Sequence, residues 1–417
     1  MPVLSISYPL IDVARVSAIV ACAGLVWSPT VATVGLVAAY VAFVASGEVF
    51  VRFENMLARP VVYWGLAYIG MVLLGTLYGT VPWQERLVGV FKWRTILWFL
   101  VLLVLFDDNK WKDRLLTAFI VVTAIGLLAS FTAAAGLVQL PRRADYLLRS
   151  HSTQAMAFAA SALICLWKCL EKKGGGRFSW VWAAVGSLYI ANLVFITAGL
   201  SGYAVLGIGT AVLLMWQIPP RWWVAPMLGI VLFGAIGFYV SQTMQQRLYR
   251  NIDEWAHSEE LKSHSSVGDR LVFYRNGLEI AQKHWMLGVG TGGFRNAYAE
   301  HVAKKYDPSD WRAELTGDPH NQYLAIWAQQ GIVGLAIFLL WLFAIVRDEG
   351  SDPWYRQLAL ALFLGWCITS LFSSHFTTFA EGHLIATFLG VLLAIPLHKS
   401  QVKSEVQNHV AKRAMPC

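Results

Sequence analysis

The sequence predicts an all-α, polytopic integral membrane protein: about twelve transmembrane helices with one large helical loop on the outer side. Three observations lead there. Of 417 residues, 57% are hydrophobic and only 14% charged, with a mean hydropathy of +0.53. A soluble chain of this length has too few polar atoms to cover so much apolar surface. Apolar runs long enough to cross the hydrocarbon core recur along the chain. Nineteen Trp and fifteen Tyr suit a protein with two membrane–water interfaces, where amphipathic rings settle.

The runs fall at roughly 11–27, 30–46, 61–79, 88–106, 114–135, 152–170, 178–198, 201–218, 222–243, 321–346, 355–374 and 383–398. The chain then divides into helices one to nine (1–243), the large outer loop (244–320), helices ten to twelve (321–400) and a tail on the inner side (401–417). The first run lacks a basic start and a small-residue exit, so no cleavable signal peptide is expected. No internal repeat is visible, which speaks against transporters built from inverted halves.

Orientation follows from the short connections. Lys110, Lys112 and Arg114 lie in one, Lys168, Lys172, Lys173 and Arg177 in another, and Arg347 and Arg356 in a third; Lys399, Lys403, Lys412 and Arg413 crowd the tail. With twelve helices they share a side, and the positive-inside rule makes it cytoplasmic. The loops 136–151 and 244–320 are then outside. Cations there need another explanation. In the large loop the acidic neighbours Asp253, Glu254, Glu259 and Glu260 allow a solvated mixed-charge surface. Around Arg142, Arg143 and Arg149 only Asp145 is near, and a phosphate site is favoured, because guanidinium forks match phosphate oxygens two at a time. The net charge of +8 is not a nucleic-acid signal, since no basic stripe alternates with aromatics; membrane lipids and anionic substrates are the natural partners.

Within the outer loop, 241–263 reads as a helix of mixed polarity. A break at Ser265–Gly268 precedes a half-buried helix over about 269–284, capped by Ser266 or Asp269. Arg270 stands in its first turn, where the dipole disfavours cations. That placement points to a partner or an anion. Gly288-Val289-Gly290-Thr291-Gly292-Gly293 matches GxGxxG in letters, but no strand precedes it and no βαβ unit contains it. It reads as a turn whose backbone approaches a neighbour closely.

The stretch Asp318-Pro319-His320-Asn321-Gln322-Tyr323-Leu324 is where the polar loop enters the tenth apolar run. His320 stands at the water-side mouth of that helix, where one residue can meet a lipid-borne substrate and a soluble hydroxyl. Taken locally it reads equally well as a capping or interfacial histidine. Asn321 and Gln322 can hydrogen-bond beside it, and Asp318 is two residues away. Between the last two helices, Glu381 is a rival base, and His375 or His383 can orient a substrate; a plain polar hairpin is the competing reading. Cys22, Cys165, Cys169 and Cys367 sit in apolar runs, and no His, Cys or carboxylate cluster has ligand spacing. No disulfide framework, cofactor or metal is expected. A GxSxG elbow is absent.

Taken in order, Arg270 opening a half-buried helix, Gly288–Phe294, His320-Asn321-Gln322-Tyr323-Leu324 and Gly331-Ile332-Val333-Gly334-Leu335 resemble the O-antigen ligase and polymerase superfamily. Motif-level similarity covers about residues 267–340, and the helix count extends it over the chain. Many members have an Arg directly after a Thr/Ser at the start of the eighth helix. Here the stretch is Thr197-Ala198-Gly199-Leu200-Ser201-Gly202, and Leu200 stands in that place. Arg142, Arg143 and Arg149 are the candidate replacements.

The resemblance implies a multi-pass enzyme of the bacterial inner membrane with its site facing the periplasm. It would be a metal-independent inverting glycosyltransferase. The donor would be a glycan on undecaprenyl diphosphate, and the acceptor a sugar hydroxyl of lipid A–core. In that frame His320 is the general base, and Arg142, Arg143, Arg149, Arg270 and Arg275 hold the donor diphosphate. Asn321, Asp318 and Glu381 support them. Three alternatives stay open: the polymerase of the superfamily, a protein O-oligosaccharyltransferase, and a transporter or flippase of a lipid-linked anionic sugar. A transporter calls for ionisable groups in mid-membrane and broken helices, and the apolar runs are nearly free of charge at their centres.

Overall fold

The computed structural model describes residues 2–54, 56–139, 147–171, 179–197, 199–256 and 266–395. Among them every regular element is helical, and seventeen are α-helices. They are α1 (Pro2–Trp27), α2 (Pro29–Ala45), α3 (Val49–Glu54), α4 (Pro60–Tyr78), α5 (Trp83–Phe91), α6 (Arg94–Leu105), α7 (Asn109–Ala134), α8 (His151–Cys169), α9 (Ser179–Phe195), α10 (Leu200–Gln217) and α11 (Val224–Val240). Then come α12 (Gln242–Ala256), α13 (Ser266–Lys283), α14 (Phe294–Lys305), α15 (Gln322–Arg347), α16 (Pro353–Thr369) and α17 (Phe379–Leu392).

Among the described residues seven helical stretches are long and apolar enough to cross a membrane: Pro9–Trp27, Pro60–Tyr78, Trp83–Leu105, Asn109–Ala134, Leu200–Gln217, Pro220–Val240 and Gln322–Arg347. Three shorter apolar helices are Pro29–Ala45, Ser179–Phe195 and Phe379–Leu392. The protein is an all-α polytopic membrane protein.

The helix starts follow from local chemistry. Ser28 accepts from the Val31 N–H ahead of Pro29, Asp108 from Lys110, Ser150 from Thr153, and Asp352 from Trp354 ahead of Pro353. The run read as 88–106 is two helices. It starts earlier, at Trp83, and breaks at Lys92–Trp93. α5 turns Trp83, Leu87, Val88 and Phe91 outward, a face suited to the bilayer boundary.

Glycine and alanine let helices meet backbone to backbone, as packing in lipid requires. A Cβ on Gly35 would lie 2.6 Å from the Ala21 nitrogen, closing α2 on α1. α17 is the innermost helix, buried from Ala380 to Leu392. It packs on α6, where a Cβ on Gly390 would come within 2.7 Å of Leu102.

At one end of the bundle charges neutralise each other: Arg52 pairs with Glu48 (2.8 Å) and Asp107 (3.0 Å), Arg15 with Asp107, and Arg59 with Asp348 (2.6 Å). Lys112, expected as a surface cation of a connection, is buried there and donates to the Ala394 carbonyl at 2.7 Å. α7 begins at Asn109, so position 112 already faces the bundle one turn in. The helices α12, α13 and α14 come between α11 and α15 in the chain.

Candidate active site at the mouth of α15

His320 is the only non-glycine among the described residues with positive φ, at 56°. L-residues avoid this region for steric reasons, and its appearance at a histidine marks a backbone held by its surroundings. The restraints are specific. The His320 N–H donates to Asp318 Oδ1 at 2.9 Å, spanning Pro319. Asp318 is fixed in turn by Ser374, whose Oγ donates to the same oxygen at 2.6 Å. The His320 carbonyl accepts from the Tyr274 hydroxyl at 3.1 Å. Asn321 then caps α15, its side chain accepting from the Leu324 N–H at 3.0 Å. Every hydrogen bond to His320 is made by its backbone. Its half-buried ring stacks on Phe273 at 5.8 Å between centroids, and neither ring nitrogen has a partner among the described residues.

One face of α13 builds the wall. Arg270, Phe273, Tyr274 and Gly277 recur at three- and four-residue spacing, so they share a face. Phe273 and Tyr274 touch His320, and a Cβ on Gly277 would press on Pro319 and Leu324 at 3.3 Å. The Leu371 carbonyl lies 2.9 Å from the same Tyr274 hydroxyl, so its one proton is shared between two carbonyls and ties α13 to the hairpin that follows α16. Arg270, at the top of this face, is exposed, and its guanidinium has no hydrogen-bond or ion-pair partner among the described residues. The cation that the sequence placed against a helix dipole is therefore unpaired.

The hairpin 370–378 forms the floor. The Gln322 N–H donates to the Ser370 carbonyl (2.9 Å) and its Oε1 accepts from the Phe376 N–H (3.0 Å), while its Nε2 is buried without a partner. His375 is 2% exposed, and both its ring nitrogens lack partners. Burial pushes this imidazole down to about 4; Glu381 and Asp318 pull it up, and Arg270 pushes it down further. It is neutral at pH 7. Glu381, 8% exposed, accepts from the Thr153 hydroxyl at 2.6 Å. The structure thus gathers His320, Asp318, Arg270, His375 and Glu381 around one hairpin.

The glycine-rich stretch holds the wall to the bundle. Gly288, Gly290 and Gly292 all have positive φ. A Cβ on Gly290 would lie 2.5 Å from Gly79 Cα at the end of α4. Thr291 binds the carbonyls of Gly75 (3.0 Å) and Val72 (2.7 Å). The close approach expected of these glycines is observed. α15 carries a break the sequence reading missed: Gly331 has φ 67° and ψ −172°. The carbonyls of Ala328 and Gln329 accept instead from the N–H groups of Val289 and Gly290 at 2.9 Å, and the Ile332 N–H donates to Trp285 at 2.8 Å. The break is filled by the chain's own backbone.

Comparison with known proteins now bears on this site. The O-antigen ligase family model matches residues 185–339. A curated O-antigen ligase of Salmonella typhimurium (strain LT2) is 27% identical over 234 residues, which is 52% of this chain and 53% of that protein. The alignment thus spans about half of the relative's length. Over these residues the chain is similar to the O-antigen ligase family. The superfamily match contains α13, the glycine turn, His320 and the break at Gly331; Arg149 and Glu381 lie outside it.

Leu200 is the exposed first residue of α10. A Cβ on the preceding Gly199 would run into Ala155, and the His151 carbonyl is next nearest at 3.6 Å. The start of α10 therefore abuts the start of α8, two residues beyond Arg149. Arg149 is exposed, with its guanidinium over the Phe379 ring at 5.0 Å. Arg142 and Arg143 lie outside the described residues. Arg275 departs from expectation. Five residues past Arg270, it points about 140° round the helix. Its side chain is 76% exposed and faces Glu279 at 3.6 Å, away from His320. It belongs to a surface cluster in which Lys305 also grips Glu279 and lowers its pKa. Ser374, Tyr274 and Thr153 were not singled out by the sequence. Their signal was the alignment of polar residues at helix and hairpin ends.

Proposed function

We propose that the protein is an O-antigen ligase of the bacterial inner membrane, with its site facing the periplasm. It would transfer a glycan from undecaprenyl diphosphate to a sugar hydroxyl of lipid A–core. The observation that carries the reading is the His320 ring, without a polar partner among the described residues, on a backbone held by Asp318 and Tyr274, with Arg270, likewise unpaired among them, on the α13 face that packs against it. A sugar hydroxyl is a weak nucleophile. As its oxygen attacks the anomeric carbon, its proton passes to a His320 nitrogen, and the bond from that carbon to the diphosphate oxygen breaks with its electron pair. General-base help of this kind contributes roughly 10²–10⁴-fold. The departing diphosphate gathers negative charge. Arg270 and Arg149, with Arg142 and Arg143, supply the fixed donors that stabilise it, and the reading requires no metal. One displacement inverts the anomeric centre. Asp318 is committed to the backbone of His320 and to Ser374, which leaves it a positioning role.

The test is reconstitution. Purified protein is incubated with a defined undecaprenyl-diphosphate glycan and lipid A–core, with and without EDTA. Transfer of the glycan to lipid A–core, unaffected by EDTA, is the expected result. Chain growth on the donor would make it a polymerase, and no transfer at all would overturn the reading.

A further inference from the structure

Arg94 is the first residue of α6 and half-buried. A cation there faces the positive end of the helix dipole. Its Nη1 donates to the Phe91 carbonyl at 2.8 Å, and its guanidinium lies over two rings, Phe91 at 4.2 Å and Phe379 at 5.4 Å. Arg149 reaches the same Phe379 ring at 5.0 Å from the loop ahead of α8. That loop is pinned to the end of α1, because the Arg149 N–H donates to the Val26 carbonyl at 3.2 Å. Among the described residues neither guanidinium has a carboxylate within ion-pair distance. Glu381, two residues past Phe379, is engaged by Thr153.

Two like charges over one ring repel each other. A ring quadrupole attracts each cation only weakly, and it neutralises no charge. At the opposite end of the bundle Arg15, Arg52 and Arg59 each have a carboxylate, whereas the two guanidinium groups at Phe379 share one ring. The arrangement at Phe379 is therefore a platform awaiting an anion. Two guanidinium groups that share one ring each offer paired N–H donors, which match the several oxygens of a phosphate.

We infer that Arg94 is a further donor-binding residue and that Phe379 is the positioning residue that holds Arg94 and Arg149 as one phosphate fork. The inference rests on the lipid-linked diphosphate donor of the proposed function. Phe379 begins the helix that follows the hairpin carrying His375, so the fork stands next to the hairpin that floors the site at His320. A bilayer phospholipid headgroup has the same phosphate chemistry and is the competing source.

The experiment uses full-length protein in phospholipid-free detergent and titrates inorganic pyrophosphate by calorimetry. Arg94→Gln should weaken pyrophosphate binding about ten- to hundredfold, and Arg94→Lys should restore part of it. Phe379→Leu should weaken binding too, and Phe379→Tyr should rescue it, a pattern that loss of bulk alone does not give. Arg221→Gln, at the opposite end, is the control. Should Arg94→Gln not fold, the Lys and Phe379 variants carry the comparison. Unchanged pyrophosphate affinity in folded Arg94 and Phe379 variants overturns the inference. So does loss of bound phosphatidylglycerol by native mass spectrometry with pyrophosphate affinity intact, which assigns the fork to a headgroup. In the ligation assay the Arg94 variants should raise donor KM and leave acceptor KM unchanged. Wild-type protein that binds pyrophosphate through Arg94 yet transfers no glycan would sink the proposed function and leave the anion fork standing.

Discussion

The backbone N–H of His320 donates to the Asp318 carboxylate at 2.9 Å, across Pro319, and the same oxygen takes the Ser374 hydroxyl at 2.6 Å. The carboxylate nearest the histidine in sequence thus shapes the turn and leaves the imidazole free. Asp318→Asn keeps an acceptor oxygen and should keep most of the turnover. Asp318→Ala removes it, and two buried hydrogen bonds go with it, at about 1–3 kcal/mol of stability. Kinetics and thermal unfolding in detergent separate the two. Asn proving as damaging as Ala would mean that the negative charge itself takes part in the chemistry.

The glycine turn makes a prediction about folding rather than chemistry. At Gly290 φ is 88°, and a Cβ would sit 2.5 Å from Gly79 Cα. Gly290→Ala combines backbone strain with overpacking, together roughly 2–6 kcal/mol. It should abolish the folded yield. Gly70→Ala, in the middle of α4 with nothing within 4 Å of the added carbon, should be neutral. Equal yields of the two variants would show that the turn does not seat on α4 as described.

His375 predicts a pH dependence of stability. Its folded-state pKa is lowered from 6.5 to about 4, chiefly by burial. Above 6.5 both folded and unfolded states carry it neutral, and it has no effect. Between 6.5 and about 4 the unfolded chain binds the proton and the folded chain does not, so stability falls as pH falls. Thermal midpoints measured from pH 7 to pH 4 should drop less steeply in His375→Asn than in the wild type. Parallel slopes would locate the acid sensitivity elsewhere.

The helices were legible because their signals are local. Apolar length, Ser or Asp caps and proline starts set the ends of α2, α7, α8 and α16 within a few residues of the apolar runs. Arg270 and the glycine turn were legible for a related reason: each breaks a local rule, a cation against a dipole and glycines where no helix runs. The break at Gly331 was hidden, because its compensating donors come from Val289 and Gly290, some forty residues earlier. Burial of Lys112 and the convergence of Arg94 and Arg149 on Phe379 were hidden for the same reason. Each depends on which helices become neighbours, and hydropathy does not encode that. Arg275 misled because proximity in sequence to Arg270 says nothing about helical face.

Among the described residues Arg270 has no hydrogen-bond or ion-pair partner, so its loss should spare the fold and weaken the donor. Arg270→Ala is expected to raise donor KM about ten- to hundredfold with little change in thermal midpoint, since one charged hydrogen bond is worth about 1.5–3 kcal/mol. Arg270→Lys should recover part, because an ammonium lacks the planar fork. Donor kinetics matching the wild type in both variants would return Arg270 to the solvated surface.

His320 carries the sharpest expectation, and its backbone decides which variants can test it. At φ 56° alanine is strained, so His320→Ala mixes a folding defect with a chemical one. Asparagine tolerates the left-handed region better than other residues with a side chain. Gln is strained there but, like Asn, can hydrogen-bond and cannot take a proton. If the ring abstracts the acceptor's proton, His320→Asn should fold, bind inorganic pyrophosphate as the wild type does, and lose roughly 10²–10⁴-fold in turnover. His320→Gln should show the same loss in turnover. The measurement is single-turnover transfer from a defined lipid-linked donor at saturating acceptor, with unfolding curves for each variant. Near-normal turnover in a folded Asn or Gln variant would reduce His320 to a positioning group. The base would then have to be Glu381, the remaining carboxylate that the structure brings to this hairpin and does not commit to the turn at His320.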